Sequence, residues 1–361
     1  MASPVAERDL SSPPERAPAP EPAPEFAGKF SAPGDRKSPF RWHALEADRA
    51  SLFPILHPDI WEFRKKMERC RWTAKDVSLS RDRQQWEALD ADVRHTVGMQ
   101  LAFFSQIDGL VLSNLSRFGA EVDCLEARMA YSAQEDQECV HMESYNLQIE
   151  AVIADGGERK RMLEAARHLP IVGDMHAWVT AAFRKHLPLG ERLVAAAFTE
   201  GVLFCASFAI MQWLRELNRL PGVTEVNSYI ARDENIHTEY SCHLVRDRLQ
   251  APVPAGKVHR IFADAMEVAE RFVDQSLPVA LTGLNATLMR QYVHFQADAT
   301  LFLLGAGHVY RAPNPFSSMD KLALNRISKS NFFEERATQY QSLDDSGSSA
   351  LRLAPALVSE D

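Results

Sequence analysis

Glu138-Cys-Val-His141 and Glu234-Asn-Ile-His237 repeat one pattern, Glu-x-x-His, in two distant stretches of the chain. On an α-helix, positions three apart lie on the same face. Each stretch therefore sets a carboxylate beside an imidazole. Both lie in long runs with apolar residues at three and four spacing, which predicts helices. Two further apolar runs each carry one acid. Asp108 sits in Leu101-Ala-Phe-Phe-Ser-Gln-Ile-Asp108, and Glu200 in Val194-Ala-Ala-Ala-Phe-Thr-Glu200. A lone carboxylate in a core is costly unless it meets a counter-charge or a metal ion.

Together these positions offer four carboxylates and two imidazoles from four helices: Asp108, Glu138, His141, Glu200, Glu234 and His237. An acid on each of two helices, with Glu-x-x-His on each of two others, is the ligand pattern of ferritin-like two-metal bundles. The expected fold is thus an all-α, ferritin-like helical bundle with a dinuclear metal site in its core. Oxygen-rich ligation with one imidazole per metal favours iron or manganese over zinc.

The rest of the sequence fits that frame. It has 361 residues, 46% of them hydrophobic, enough to bury a large core. Helices are expected near 58–69, 82–90, 92–118, 122–153, 158–168, 174–187, 191–218, 224–249, 255–276 and 284–305. Gly156-Gly157 is read as a helix end, and Pro221-Gly222 as a turn. Residues 1–38, rich in Pro, Ala and Glu, read as a disordered tail. One domain is expected over 39–335, and residues 336–361 read as a second flexible tail. The net charge of −9 argues against a nucleic-acid surface. The apolar stretch from Leu193 to Leu214 carries Glu200 and is expected to be a core helix, not a membrane span. No apolar leader is visible at the N-terminus. The five cysteines are scattered, which fits a reducing, cytoplasmic compartment better than a disulfide scaffold.

A two-metal bundle alone leaves iron storage, oxygenation, desaturation and radical formation open. Tyr145 narrows the choice. It follows His141 by four residues and so lies about one turn along the same face. Phe204, Phe208 and Ile230 are placed to form a dry pocket around its phenol, which would protect an oxidised tyrosine.

A longer series of motifs carries a family resemblance. It runs through Phe53-Pro-Ile, Pro58-Asp-Ile-Trp61, Trp72-Thr-Ala, Asp108-Gly, Glu126-Ala-Arg128, Glu200-Gly, Arg232-Asp-Glu234, Asn314-Pro-Phe316 and Asn331-Phe-Phe-Glu334. Over about Phe53 to Tyr340 the chain resembles the small, radical-generating subunit of class I ribonucleotide reductase. The likeness is greatest to eukaryotic and large-DNA-virus members, which implies a cytoplasmic location (host cytoplasm if viral).

The resemblance implies roles. Asp108, Glu138, His141, Glu200, Glu234 and His237 match the ligands of two iron ions, with manganese or a mixed manganese–iron pair as alternatives. The metal site would activate oxygen and leave a stable radical on Tyr145. Trp72 and Asp233 match the electron path, together with His141, and Tyr340 matches the tail tyrosine that passes the radical on. The partner implied is the large catalytic subunit, which reduces ribonucleoside diphosphates and is docked by the C-terminal tail. A homodimer is a further family expectation, with neither nucleic acid nor membrane as a partner. The competing readings are a two-metal oxidase without a large subunit and a non-catalytic helical partner.

Three features depart from the family pattern. Glu135 and Asp136 stand where apolar residues are usual, and either add a metal contact or face away. Tyr240 stands where Phe is usual, as a second oxidisable phenol or as core packing. The tail ends Leu357-Val-Ser-Glu-Asp361 without the usual aromatic residue, which would tune it to its own large subunit.

Overall fold

Proline opens three of the helices, where its missing N–H is no loss and its fixed φ suits the first turn. These are α1 (Pro58–Arg69), α7 (Pro170–Ala182) and α10 (Pro221–His243). The computed structural model describes residues 38–43, 49–317 and 319. Both sequence-read tails, including Tyr340, lie outside the described residues, apart from Ser38. The other helices are α2 (Asp82–Glu87), α3 (Ala91–Glu121), α4 (Leu125–Val152), α5 (Gly156–Leu163), α6 (Ala165–His168), α8 (Leu189–Phe198), α9 (Cys205–Glu216), α11 (Ala255–Ser276) and α12 (Ala286–Leu303). Two isolated bridges, Phe40 with Leu249 and Leu281 with Leu284, are the β pairings among the described residues.

The site-bearing helices form the centre of the bundle. α4 packs along both α3 and α1, while α10 packs on α4, α8 and α9. The apolar run spanning α8 and α9 is wholly buried among its neighbours, as expected of a core helix.

Several boundaries differ from the sequence reading: 158–168 divides into α5 and α6, 174–187 is found at Pro170–Ala182, and 224–249 becomes α10 and a π-helical segment, Leu244–Arg248. Three further differences have a clear local reason. Gly156 and Gly157 open α5 instead of closing α4, because the Asp155 carboxylate accepts the Glu158 amide at 2.7 Å and caps that helix. Pro221-Gly222 is the first turn of α10, not a separate turn. There the buried carboxylate of Asp82, from α2, accepts the amides of Gly222 and Val223 at 3.3 and 3.0 Å. The run 191–218 is interrupted by a π-helical segment, Thr199–Leu203, which joins α8 to α9.

At Gly222 the start of α10 leaves no room for a side chain. A Cβ there would lie 2.4 Å from the Ser78 carbonyl oxygen and 2.6 Å from Asp82 Oδ2. Gly222→Ala is therefore expected to destabilise the fold by about 3 kcal/mol, measured by chemical denaturation.

The segment leading into α1 is held by one buried acid. Glu126, on the first turn of α4, accepts Arg49 Nη1 at 2.7 Å, Arg49 Nη2 at 2.9 Å and the Leu56 amide at 2.9 Å. Burial pushes its carboxyl up, but the Arg49 hydrogen bonds outweigh that and hold it at about 2. A depressed folded value contributes stability above the ordinary carboxylate range, lost as pH falls through about 2. Glu126→Gln should be less stable than wild type at pH 7 and should flatten acid unfolding below pH 4.5, as followed by circular dichroism. A change at neutral pH with an unaltered acid limb would assign the acid sensitivity to other groups.

Candidate metal centre

The four helices bring all six sequence-read ligand residues into one buried cluster. Asp108 comes from α3, Glu138 and His141 from α4, Glu234 and His237 from α10, and Glu200 from the π-helical segment. None is more than 3% exposed. Two overlapping groups have ligand atoms within 4.8 Å of one another: Asp108, Glu138 and His141, and Glu138, Glu200, Glu234 and His237.

The two α4 and α10 glutamates lie between the imidazoles. Glu138 places one oxygen 3.4 Å from His141 Nδ1 and the other 3.1 Å from His237 Nδ1. Glu234 does the same, at 2.9 and 3.5 Å. Each therefore reaches both halves of the cluster, the arrangement a bridging carboxylate needs.

The outward nitrogens are already engaged. His141 Nε2 lies 3.3 Å from Asp233 Oδ2, and His237 Nε2 lies 3.0 Å from Gln137 Oε1. With Nε2 of each ring turned outward to these partners, Nδ1 faces the cluster, the orientation that such partners impose on metal-bound histidines. The sequence reading missed Gln137, and also Gln134, whose carboxamide nitrogen donates to Glu200 Oε1 at 3.1 Å. Gln134 was legible in principle, since it lies one turn before Glu138 on the same face.

The inward polar atoms have no hydrogen-bond partner outside the cluster itself. Both oxygens of Asp108, Glu138 and Glu234, Oε2 of Glu200 and Nδ1 of both histidines are in this state. Burial, reinforced by neighbouring carboxylates, pushes Asp108 and Glu200 well above the usual carboxylate range. Burial also opposes the charge of Glu138, but its contacts with the two histidines prevail and lower it. Burial lowers His237, yet Glu138 and Glu234 outweigh it and raise the ring to about 10. Four carboxylates and two imidazoles thus crowd one buried space. Two divalent cations would balance their charge and occupy every orphaned atom, so the donor set fits a dinuclear metal site.

The π-helical segment is what aims Glu200. Its wider turn brings the backbone against α10 and α12, and Gly201 makes that approach possible. A Cβ at Gly201 would lie 2.8 Å from Thr238 Cγ2 and 2.8 Å from Thr300 Oγ1. π segments of this kind recur at functional sites.

Tyr145 is fully buried, and its hydroxyl has no hydrogen-bond partner. Burial and then the charge of Asp108 hold its proton tightly, raising it well above the usual phenol value. Its ring stacks on Phe104, at 4.5 Å between centroids and 7° between planes. Phe104 was not singled out by sequence, although it lies one turn before Asp108. Phe204 and Phe208, expected around the phenol, pack on Phe104 at 5.5 and 5.0 Å. Ile230 is also buried.

Trp72 and Asp233 meet although 161 positions separate them: Trp72 Nε1 donates to Asp233 Oδ2 at 2.8 Å. That same oxygen faces His141, and Arg232 Nε donates to the other at 3.0 Å. Burial opposes the Asp233 charge, but Arg232 leads the contacts that lower its pKa.

Asp136 is exposed and paired with Arg71 at 2.8 Å, so it faces away from the centre. Glu135 is half-buried and belongs to neither ligand group. Tyr240 packs on Tyr131 and Phe63 at 5.2 and 5.3 Å and donates to the Ala127 carbonyl at 3.4 Å, a core-packing role. His57, Cys124 and Glu126 also gather ligand-type side chains, but Glu126 is already committed to Arg49.

Comparison with known proteins supplies the family. The model of the ribonucleotide reductase small chain matches residues 49–315. The ribonucleoside-diphosphate reductase small chain of Plasmodium falciparum (isolate Dd2) is 40% identical over 297 residues, 82% of the length here and 84% of its own. A relative from Arabidopsis thaliana, likewise a ribonucleoside-diphosphate reductase small chain, is 38% identical over 318 residues, 88% of the length here and 92% of its own. Among solved structures, the ribonucleotide reductase Rnr4 homodimer from Saccharomyces cerevisiae superposes with a TM-score of 0.67 at 28% identity. That match covers 74% of the length here and 86% of the yeast protein. With most of its length matched by family and by relatives alike, the chain belongs to the ribonucleotide reductase small chains, of the eukaryotic type.

Proposed function

We propose that the buried cluster binds two iron ions, with manganese or a mixed pair as alternatives, and that the protein makes a stable radical on Tyr145 and passes it to a large catalytic subunit. Asp108, Glu138, His141, Glu200, Glu234 and His237 would hold the pair, four carboxylates and two imidazoles in one buried cluster. When bound, the metal pair supplies the oxygen-activating, one-electron oxidising chemistry that side chains lack. The protein's own residues do the rest. Phe104 and the aromatic tier behind it keep water from the Tyr145 phenol, and Asp233 orients His141 through Nε2. Substrate reduction, ribonucleoside diphosphate to deoxyribonucleotide, belongs to the partner.

The observation that carries this reading is the unbroken path from a ligand to an indole: His141, Asp233, Trp72, with links of 3.3 and 2.8 Å. A two-metal oxidase working alone has no use for it. Tyr340 completes the route in this proposal on the strength of the sequence match alone. A homodimer is proposed from the yeast relative, which is described as one. A cytoplasmic location is proposed too, in keeping with five cysteines that form no disulfide among the described residues.

The test is metal analysis with electron paramagnetic resonance after ferrous iron and oxygen. Two ions per polypeptide and a persistent tyrosyl signal are expected. Tyr340→Phe should keep that signal and lose turnover with the large subunit. Loss of the resting radical in that variant would contradict a transfer role.

A further inference from the structure

The indole of Trp72 has a second aromatic neighbour. Its ring lies 6.1 Å from His141 and 5.6 Å from Tyr229, centroid to centroid. Tyr229 sits on α10, one turn before Asp233, and is half-buried, whereas Trp72 is 8% exposed. The order from core to surface is thus His141, Trp72, Tyr229. The Tyr229 hydroxyl donates to Glu225 Oε1 at 2.9 Å.

We propose that Tyr229 is a redox relay between Trp72 and the protein surface, its phenol giving an electron to oxidised Trp72 and its proton to Glu225. This rests on the radical reading above. In the step, the indole, one electron short, takes one electron from the phenol. The phenolic O–H bond breaks, and its proton crosses the existing hydrogen bond to the Glu225 carboxylate. The products are a reduced indole, a neutral phenoxyl radical and a carboxylic acid, so charge and atoms balance.

The surroundings favour that coupling of proton to electron. The Arg232 guanidinium lies 5.5 Å from the Tyr229 ring, so a cationic phenol radical beside it is disfavoured. Burial, then Glu225, raises the phenol's pKa, so the proton stays on until the electron leaves. The contrast is the Tyr131–Tyr240 pair, which is equally close and fully buried. Tyr240 faces only a backbone carbonyl and Tyr131 has no partner, and a carbonyl cannot keep a phenol's proton.

The test uses the full-length protein with Tyr145→Phe, loaded with ferrous iron, exposed to oxygen and frozen at intervals for paramagnetic resonance. A transient tyrosyl signal is expected. Adding Tyr229→Phe should abolish it and prolong a tryptophan-centred signal about fivefold or more, while Glu225→Gln should slow its appearance about tenfold. Iron content and circular dichroism establish that each variant is folded. A tyrosyl signal that survives Tyr229→Phe, or a tryptophan signal that decays equally fast without Tyr229, overturns the relay. A wild-type protein that takes up iron yet forms no Tyr145 radical overturns the parent reading, and the relay with it.

Discussion

A protein carrying Tyr145→Phe is expected to bind its full complement of metal and to show no persistent tyrosyl radical. Turnover with the large subunit should fall to background. The substitution removes one oxygen and leaves the ring, so the stack on Phe104 at 4.5 Å survives and no cavity opens. The hydroxyl is buried without a partner, and an unsatisfied buried donor costs about 1–3 kcal/mol. The metal-free variant should therefore be at least as stable as wild type, by up to about 1 kcal/mol in a denaturant titration. That combination, gained stability with lost radical, separates a redox role from a packing role. A persistent signal of unchanged line shape in the variant would move the radical to another phenol.

The second large effect is the response of stability to metal. Removing the ions with a chelator should lower the melting temperature by about 10 °C, since two tightly held ions add several kcal/mol to the folded state by mass action. The reason lies in the bare cluster. Asp108 and Glu200 are raised above the carboxylate range, so the folded metal-free state holds protons that the unfolded polypeptide releases. Its stability must then fall as pH rises above the ordinary carboxylate value near 4. The raised histidines add to the same slope: their contribution is complete below 6.5 and for His237 is lost as pH passes about 10. Metal binding runs the other way, because protons compete for the same atoms. The thermal shift on adding metal should therefore grow between pH 5 and pH 8. Asp108→Asn and Glu200→Gln should each raise the melting temperature of the metal-free protein and reduce its metal content. If both variants lose stability without metal, these carboxylates are tied to partners other than an ion.

Much of this centre was legible from one dimension. Glu138 with His141 and Glu234 with His237 share a helix face because the helix repeat requires it, whatever surrounds them. Asp108 and Glu200 stood out because a lone acid in an apolar run has no inexpensive place to go. Pro221-Gly222 read as a turn instead of as the first turn of α10, because nothing local shows that Asp82, from a distant helix, supplies the cap.

Other features depend on pairs of residues that no local repeat connects. Phe104 meets Tyr145 across two helices, and Trp72 meets Asp233 across 161 positions. Local spacing carries no information about such contacts, and the indole partner could be named from sequence only through a family likeness. The π-helical turn at Glu200 is the clearest case. Its apolar run reads as part of one ordinary helix, whereas the close approach of the backbone at Gly201 to Thr238 and Thr300 exists only between helices.

The sequence by itself thus determined a helical bundle, its inward faces and the chemical type of its six candidate ligands, because these follow from periodicity and the cost of burying charge. Tertiary structure alone decided which carboxylates lie between the two histidines, which nitrogen of each ring faces inward, and that an indole and then Tyr229 stand in line behind His141. Those are distances between helices, set by packing.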